Sequence, residues 1–351
     1  MAPGAGLEDS FPHMFPKQCE FYCKRTHQWQ DWSTHKSTCN TIKKAREEVD
    51  KIERKLRGNT PNPFDDQRNF WDQIPTRLYL KARFLHAEML IRSWRRQGIE
   101  DALAIYLDIL RLDRGDHQGA RNLIPALFLH LGRDQECYDF CKWMSYDYSD
   151  YTLPYLDIKN ADATEPEDLW KEPQMLNLPM LASVFLLKMR LFRSLQLVHR
   201  SRNFHPKRTD PQDILAAIRD DCKGDILERR LDIVGADYAT LTAHADRVGA
   251  QLADMLSSVQ SRNPHYLGII LGPQAYTAGS VEEARLAFMY TYNAWCESPL
   301  RCSSCVVRVA VAMQQLRGVV IGGMSQGDMD RIINSMSPED MENARRLAEI
   351  D

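Results

Sequence analysis

The strongest constraint on this chain is a spacing. "GIEDALAIY" begins at Gly98 and "GRDQECYDF" begins at Gly132, thirty-four residues later. A period of that length belongs to stacked pairs of helices. Tyr106 and Phe140 fall in register at this period, and so do the two glycines, which are placed between the two helices of each pair. Ala102 supplies a small residue for close helix approach, whereas its counterpart Glu136 departs from the pattern. Two such units cannot bury their apolar faces unaided. The remainder of the chain must therefore supply further helices.

It offers them. Alternating strand patterns are scarce from Asn69 onward, and helical periodicity dominates. "PMLASVFLLKMRLFRSLQLVHR" (179–200) and "ADYATLTAHADRVGAQLADMLSSVQ" (236–260) read as long amphipathic helices. "SVEEARLAFMYTYNAWCESP" opens with a capping box, Ser280 with Glu283. Near the end, Ser337 caps a last helix and Pro338 takes its first position. The period is that of tetratricopeptide repeats. The expected fold class is all-α, with a tetratricopeptide-like helical array over 69–351 whose concave face is lined near 83–97 and 117–131. Ahead of it stand a leader (1–16), a finger-like segment with its following helix (17–58), and a linker (59–68) carrying Pro61 and Pro63. In that first helix Ile42, Ala45, Val49, Ile52 and Leu56 form one stripe. Glu47–Lys51, Asp50–Arg54 and Glu53–Arg57 are i,i+4 pairs, and Gly58 is the stop.

Composition narrows the function classes. The 45 basic residues are offset by 48 acidic ones, which argues against a general nucleic-acid binder. No apolar run reaches bilayer length, so a membrane span is not expected. "MAPGAGLEDSFPHMFPK" lacks an apolar core and reads as no secretory signal, so an intracellular protein of cytoplasm or nucleus is expected. Nine scattered cysteines then read as thiols or metal ligands rather than disulfides.

"YCKRTHQWQDWSTHKSTC" (22–39) carries the candidate metal chemistry. Cys23, His27, His35 and Cys39 are spaced C-x3-H-x7-H-x3-C, and each half presents two ligands to one side of a helix. Thiolate and imidazole are the donors of closed, tetrahedral structural zinc sites. Trp29, Trp32 and Tyr22 would supply a small core. The stretch resembles the second half of a MYND-type zinc finger: Tyr22-Cys23, Gln28, Asp31-Trp32, His35-Lys36 and Cys39 fall in place, and His27 stands where that family has cysteine. The resemblance implies two cross-braced zinc ions whose other ligands come from upstream C-x2-C pairs. Here only Cys19 lies upstream, with His13 a poor substitute, so two complete sites are excluded. Two readings stay open: one Zn2+ held across a helical hairpin by the surviving ligands, or a metal-free hairpin packed by its aromatics.

Longer stretches, "RLDRGDHQGARNLIPALFLHLGRDQECYDFCKWM" and "NPHYLGIILGPQAYTAGSVEEARLAFMYTYNAWCESP", resemble fungal proteins that pair a MYND finger with a helical body. MYND fingers dock short, often proline-containing peptides, and tetratricopeptide grooves bind peptides. The resemblance thus implies a protein–protein interaction adaptor or scaffold, with Trp29 and Trp32 as peptide-contacting residues. The alternatives are a zinc-finger regulator associated with nucleic acid or chromatin, since residues 17–57 carry eleven basic against six acidic side chains, and a structural subunit of a larger assembly. A lysine methyltransferase of the MYND class is disfavoured, because its SET motifs are missing. No phosphate loop, nucleophile elbow or metalloprotease motif occurs, and no enzymatic activity is expected. Cys296, Cys302 and Cys305 in "CESPLRCSSC", like Cys137 and Cys141, read as buried core thiols. "HRSRNFHPKR" (199–208) reads as a solvated basic loop.

Overall fold

A computed structural model describes residues 25–65, 70–93, 95–145, 155–165, 176–205 and 209–266, with backbone alone for 25–35. Among the described residues every regular element is helical, so the all-α class holds: ten α-helices and one 3-10 turn, with no strand. The readings at 280–283, 296–305 and 337–338 lie outside the described residues. The chain divides near Leu127 into two compact units, with Tyr155 returning to the first.

In the first unit α1 (Arg25–Arg57) packs on α2 (Ile74–Ile91), and α2 on α3 (Arg96–Leu112). Ile42, Val49 and Leu56 are buried along α1, spaced by sevens as one helical stripe requires. Glu53–Arg57 closes at 2.7 Å as an i,i+4 pair, whereas Lys51 turns to Glu48 rather than Glu47, and Arg54 bonds the Asp50 carbonyl rather than its carboxylate. α1 stops ahead of Gly58, as expected.

Two expectations need correction here. Arg25–Arg57 is one continuous helix, not a hairpin followed by a helix. The sequence between His27 and His35 contains neither glycine nor proline, so nothing breaks the i→i−4 ladder where the hairpin required a turn. Likewise, residues 59–65 do not separate two bodies. The Phe64 ring lies 5.3 Å from Phe70, 5.4 Å from Tyr79 and 4.3 Å from the Arg57 guanidinium, so this stretch fastens α1 to α2.

The two glycines of the repeat spacing are placed differently. Gly98 sits in the first turn of α3, where a Cβ would lie 2.8 Å from the Leu90 carbonyl oxygen, and Ala102 and Tyr106 are fully buried. Gly132 takes φ +73° between α4 (Ile124–His130) and α5 (Asp134–Met144). The helix expected over 117–131 is broken up, however. The Asp116 carboxylate accepts from the amides of Ala120 (2.7 Å) and Arg121 (3.3 Å), Gly119 takes φ +77°, and only a 3-10 turn (Ala120–Asn122) precedes the short α4. The Asp116 carboxylate thus binds the first amides of the 3-10 turn, and a separate α4 begins only at Ile124.

The second unit is built on α6 (Leu178–Phe204), packed against α10 (Tyr238–Arg262), α5 and α7 (Pro211–Ile218). Asn177 caps α6 by accepting from the Met180 amide at 3.1 Å, and Asp237 caps α10 through the Thr240 amide at 2.8 Å. α6 reads as amphipathic in sequence, yet it is buried on all faces from Leu178 to Leu191 because neighbours cover every side. It also runs four residues past Arg200, so the start of the basic stretch is helical and not loop. α8 (Ile226–Arg229) and α9 (Leu231–Val234) are single turns that bring Arg229 and Arg230 round. Cys137 and Cys141 are buried core thiols, as expected.

Candidate functional site

Helix α5 carries two opposed stripes. Cys137, Phe140, Cys141 and Met144 are buried apolar positions. Gln135, Tyr138, Asp139 and Lys142, spaced by three and four, form a polar stripe on the opposite face. That stripe meets a non-helical segment of the same unit, Asn160 to Glu165.

The segment is held mainly by its main chain. The Asp139 carboxylate accepts from the amides of Asn160 (2.8 Å) and Ala161 (2.9 Å). The Gln135 amide nitrogen donates to the Ala161 carbonyl at 2.8 Å and to Asp139 at 3.0 Å, fixing the side chain that receives the other bonds. From α6, Lys188 Nζ donates to the Ala163 carbonyl (2.6 Å) and to Gln251 Oε1 (2.7 Å), with the Glu165 carbonyl at 3.5 Å. Three acceptors match the three donors of an ammonium. From α10, Gln251 Nε2 donates to the carbonyls of Thr164 (3.1 Å) and Glu165 (2.6 Å). Lys188 has no exposed surface and stands 5.3 Å from the Tyr138 ring centre, so a cation in this wall is tolerated only with those acceptors present.

Two side chains of the segment are also recognised. The Tyr138 hydroxyl donates to Glu165 Oε1 at 2.7 Å, and Lys142 Nζ meets the same oxygen at 2.5 Å. Asp162 accepts from the Thr164 amide (2.9 Å) and hydroxyl (2.8 Å) and pairs with Arg230 at 2.9 Å. Burial by itself would raise the Asp162 pKa, but the Thr164 hydrogen bonds and the Arg230 charge outweigh it and hold the carboxyl below its ordinary value. The Glu165 amide donates back to the Asp162 carbonyl at 3.0 Å, so Asp162–Glu165 is a β-turn with an Asx bond inside it. What the arrangement does chemically is grip a short acidic turn.

In sequence, residues 145–174 are a polar stretch that does not mark the held segment. The available signal was on the helices instead: a lone lysine inside "FLLKMRLF" and a polar i,i+3,i+4,i+7 stripe on α5.

The residues expected to bind metal are placed differently. Cys19 and Cys23 lie outside the described residues. His27, His35 and Cys39 all sit on α1, and His27 and Cys39, twelve residues apart, are separated by about 18 Å of helical rise. His27, His35 and Cys39 are thus spread along the axis of a single helix, and Cys23 lies outside the described residues. Among the described candidates, His35 and Cys39 lie one turn apart. Trp29 and Trp32 are on the same helix. Among the described residues no group of three or more His, Cys, Asp or Glu is placed to hold a metal, and no helix is long and apolar enough to cross a membrane. No protein-family model, curated protein or solved structure matches the chain.

Proposed function

We propose that this protein is an interaction adaptor that binds short segments of partner proteins through the groove formed by α5, α6 and α10. One observation carries the reading. Gln135, Asp139, Lys188 and Gln251, all buried, spend their hydrogen bonds on the main chain of a six-residue non-helical segment. Main-chain hydrogen bonds grip backbone shape and leave specificity to a few side chains. A peptide library displayed against the full-length protein tests the reading. Recovery of peptides that lose binding on Gln251→Ala or Tyr138→Phe supports it. A library that yields no binder to the wild-type chain, or to a chain with residues 160–165 replaced by Gly/Ser, overturns it.

A further inference from the structure

We infer that this groove is specific for an acidic β-turn of the form Asp-x-Thr-Glu, and that the chain's own Asp162–Glu165 is its resident occupant, which a partner's turn displaces. The inference rests on the adaptor reading and names both its ligand class and its regulation.

The groove reads chemistry, not bulk. Ala161 and Ala163 offer only methyl groups, so apolar volume contributes little to the grip. The discriminating contacts are two charged anchors three residues apart: Arg230 for the first carboxylate, and Lys142 with Tyr138 for the second. Both lie toward the rim. The Asp162 side chain is 44% exposed, and that of Glu165 30%. Rim charges set selectivity and encounter, while the interior Lys188 and Gln251 hold main chain of any sequence. A turn with neutral residues at the first and fourth positions would leave Arg230 and Lys142 without these partners, and a basic one would be repelled.

Exchange is favoured over emptying. Withdrawal of the segment without replacement strands the Lys188 ammonium and the Asp139 carboxylate in a buried wall, which is costly. An incoming turn restores the same bonds. The resident belongs to the same chain and so competes intramolecularly, which sets a threshold that a partner must exceed.

The test uses full-length protein and a fluorescent nonapeptide with the sequence of residues 157–165. Asp162→Ala/Glu165→Gln in the protein weakens the resident turn while leaving the groove intact. Anisotropy should then show the probe binding this variant about tenfold more tightly than wild type, the gain expected when a tethered competitor is loosened. A probe with lysine at its Asp162 position should fail on that variant, and should bind Arg230→Glu protein instead. The inference is overturned if a variant with wild-type circular dichroism and melting binds no probe, or if binding ignores the aspartate-to-lysine change. Should the double variant fail to fold, the charge swap on Arg230→Glu decides: binding of the lysine probe supports the inference, and its failure overturns it. Library peptides that depend on Gln251 but carry no acidic turn would overturn this inference alone and leave the adaptor reading standing.

Discussion

Asp134 and Arg190 meet at 3.0 Å with each side chain only 2% exposed, in the second unit, where Arg190 also donates to the Leu129 carbonyl at 2.9 Å. The pair thus ties the start of α5 to α6 and satisfies a carbonyl at the end of α4. Burial dominates the acid: it pushes the Asp134 pKa up to about 7, against the opposing pull of Arg190, with Asp225 adding to the rise. A carboxyl raised on folding binds more protons in the native than in the unfolded state. Its contribution is therefore fully present below the ordinary aspartate pKa and is lost as pH rises through about 7. Urea denaturation from pH 4.5 to 8 should show wild type losing stability relative to Asp134→Asn across that interval, by up to about 4 kcal/mol. Parallel curves for the two proteins would contradict the assignment. Arg190→Met should cost about 3–5 kcal/mol at pH 8, where it strands the carboxylate.

Gly224 stands against the same aspartate. It takes φ +108°, and a Cβ there would lie 2.3 Å from Asp134 Oδ2. Both the backbone and the space forbid a side chain, so Gly224→Ala should destabilise by about 2–4 kcal/mol in chemical denaturation. Asp134→Ala in the same background should recover part of the steric loss, since it removes the atom the new methyl meets; additive effects would argue against this contact.

Lys188→Met keeps length and apolar fit but removes the donor shared by Ala163 and Gln251. Leaving those acceptors unpaired should cost about 1–3 kcal/mol. The loss should be local to the clamped segment. Lys159, exposed just ahead of it, should become a trypsin site in the variant at protease levels that leave wild type uncut there. Unchanged cleavage kinetics at Lys159 would show that Lys188 does not hold the segment.

The continuous α1 makes a distinct metal prediction. His35 and Cys39, one turn apart, are a pair that a single ion can span. Titration of the full-length protein with Zn2+ should therefore respond to His35→Ala and Cys39→Ala, with affinity weakened at least about tenfold, and should be indifferent to His27→Ala. Equal loss in all three variants would show that α1 bends and gathers the ligands the finger resemblance implied.

Much of the scaffold was legible along the chain. The stripe Ile42, Val49, Leu56, the stop at Gly58, the turn at Gly132 and the burial of Tyr106, Phe140, Cys137 and Cys141 all follow from period, glycine placement and apolarity, which are local properties. The continuity of α1 was legible too, in the lack of any breaker between His27 and His35, but the finger-like motif suggested a hairpin in its place. The clamp was not legible. Its bonds join residues far apart in sequence, Lys188 to Ala163 across 25 positions and Gln251 to Thr164 across 87. A lysine in an apolar run states a need for acceptors without saying which carbonyls answer it. Periodicity fixes which residues face inward; only the packing of α5, α6 and α10 decides which buried polar groups meet, because each must find its partner or forfeit its hydration.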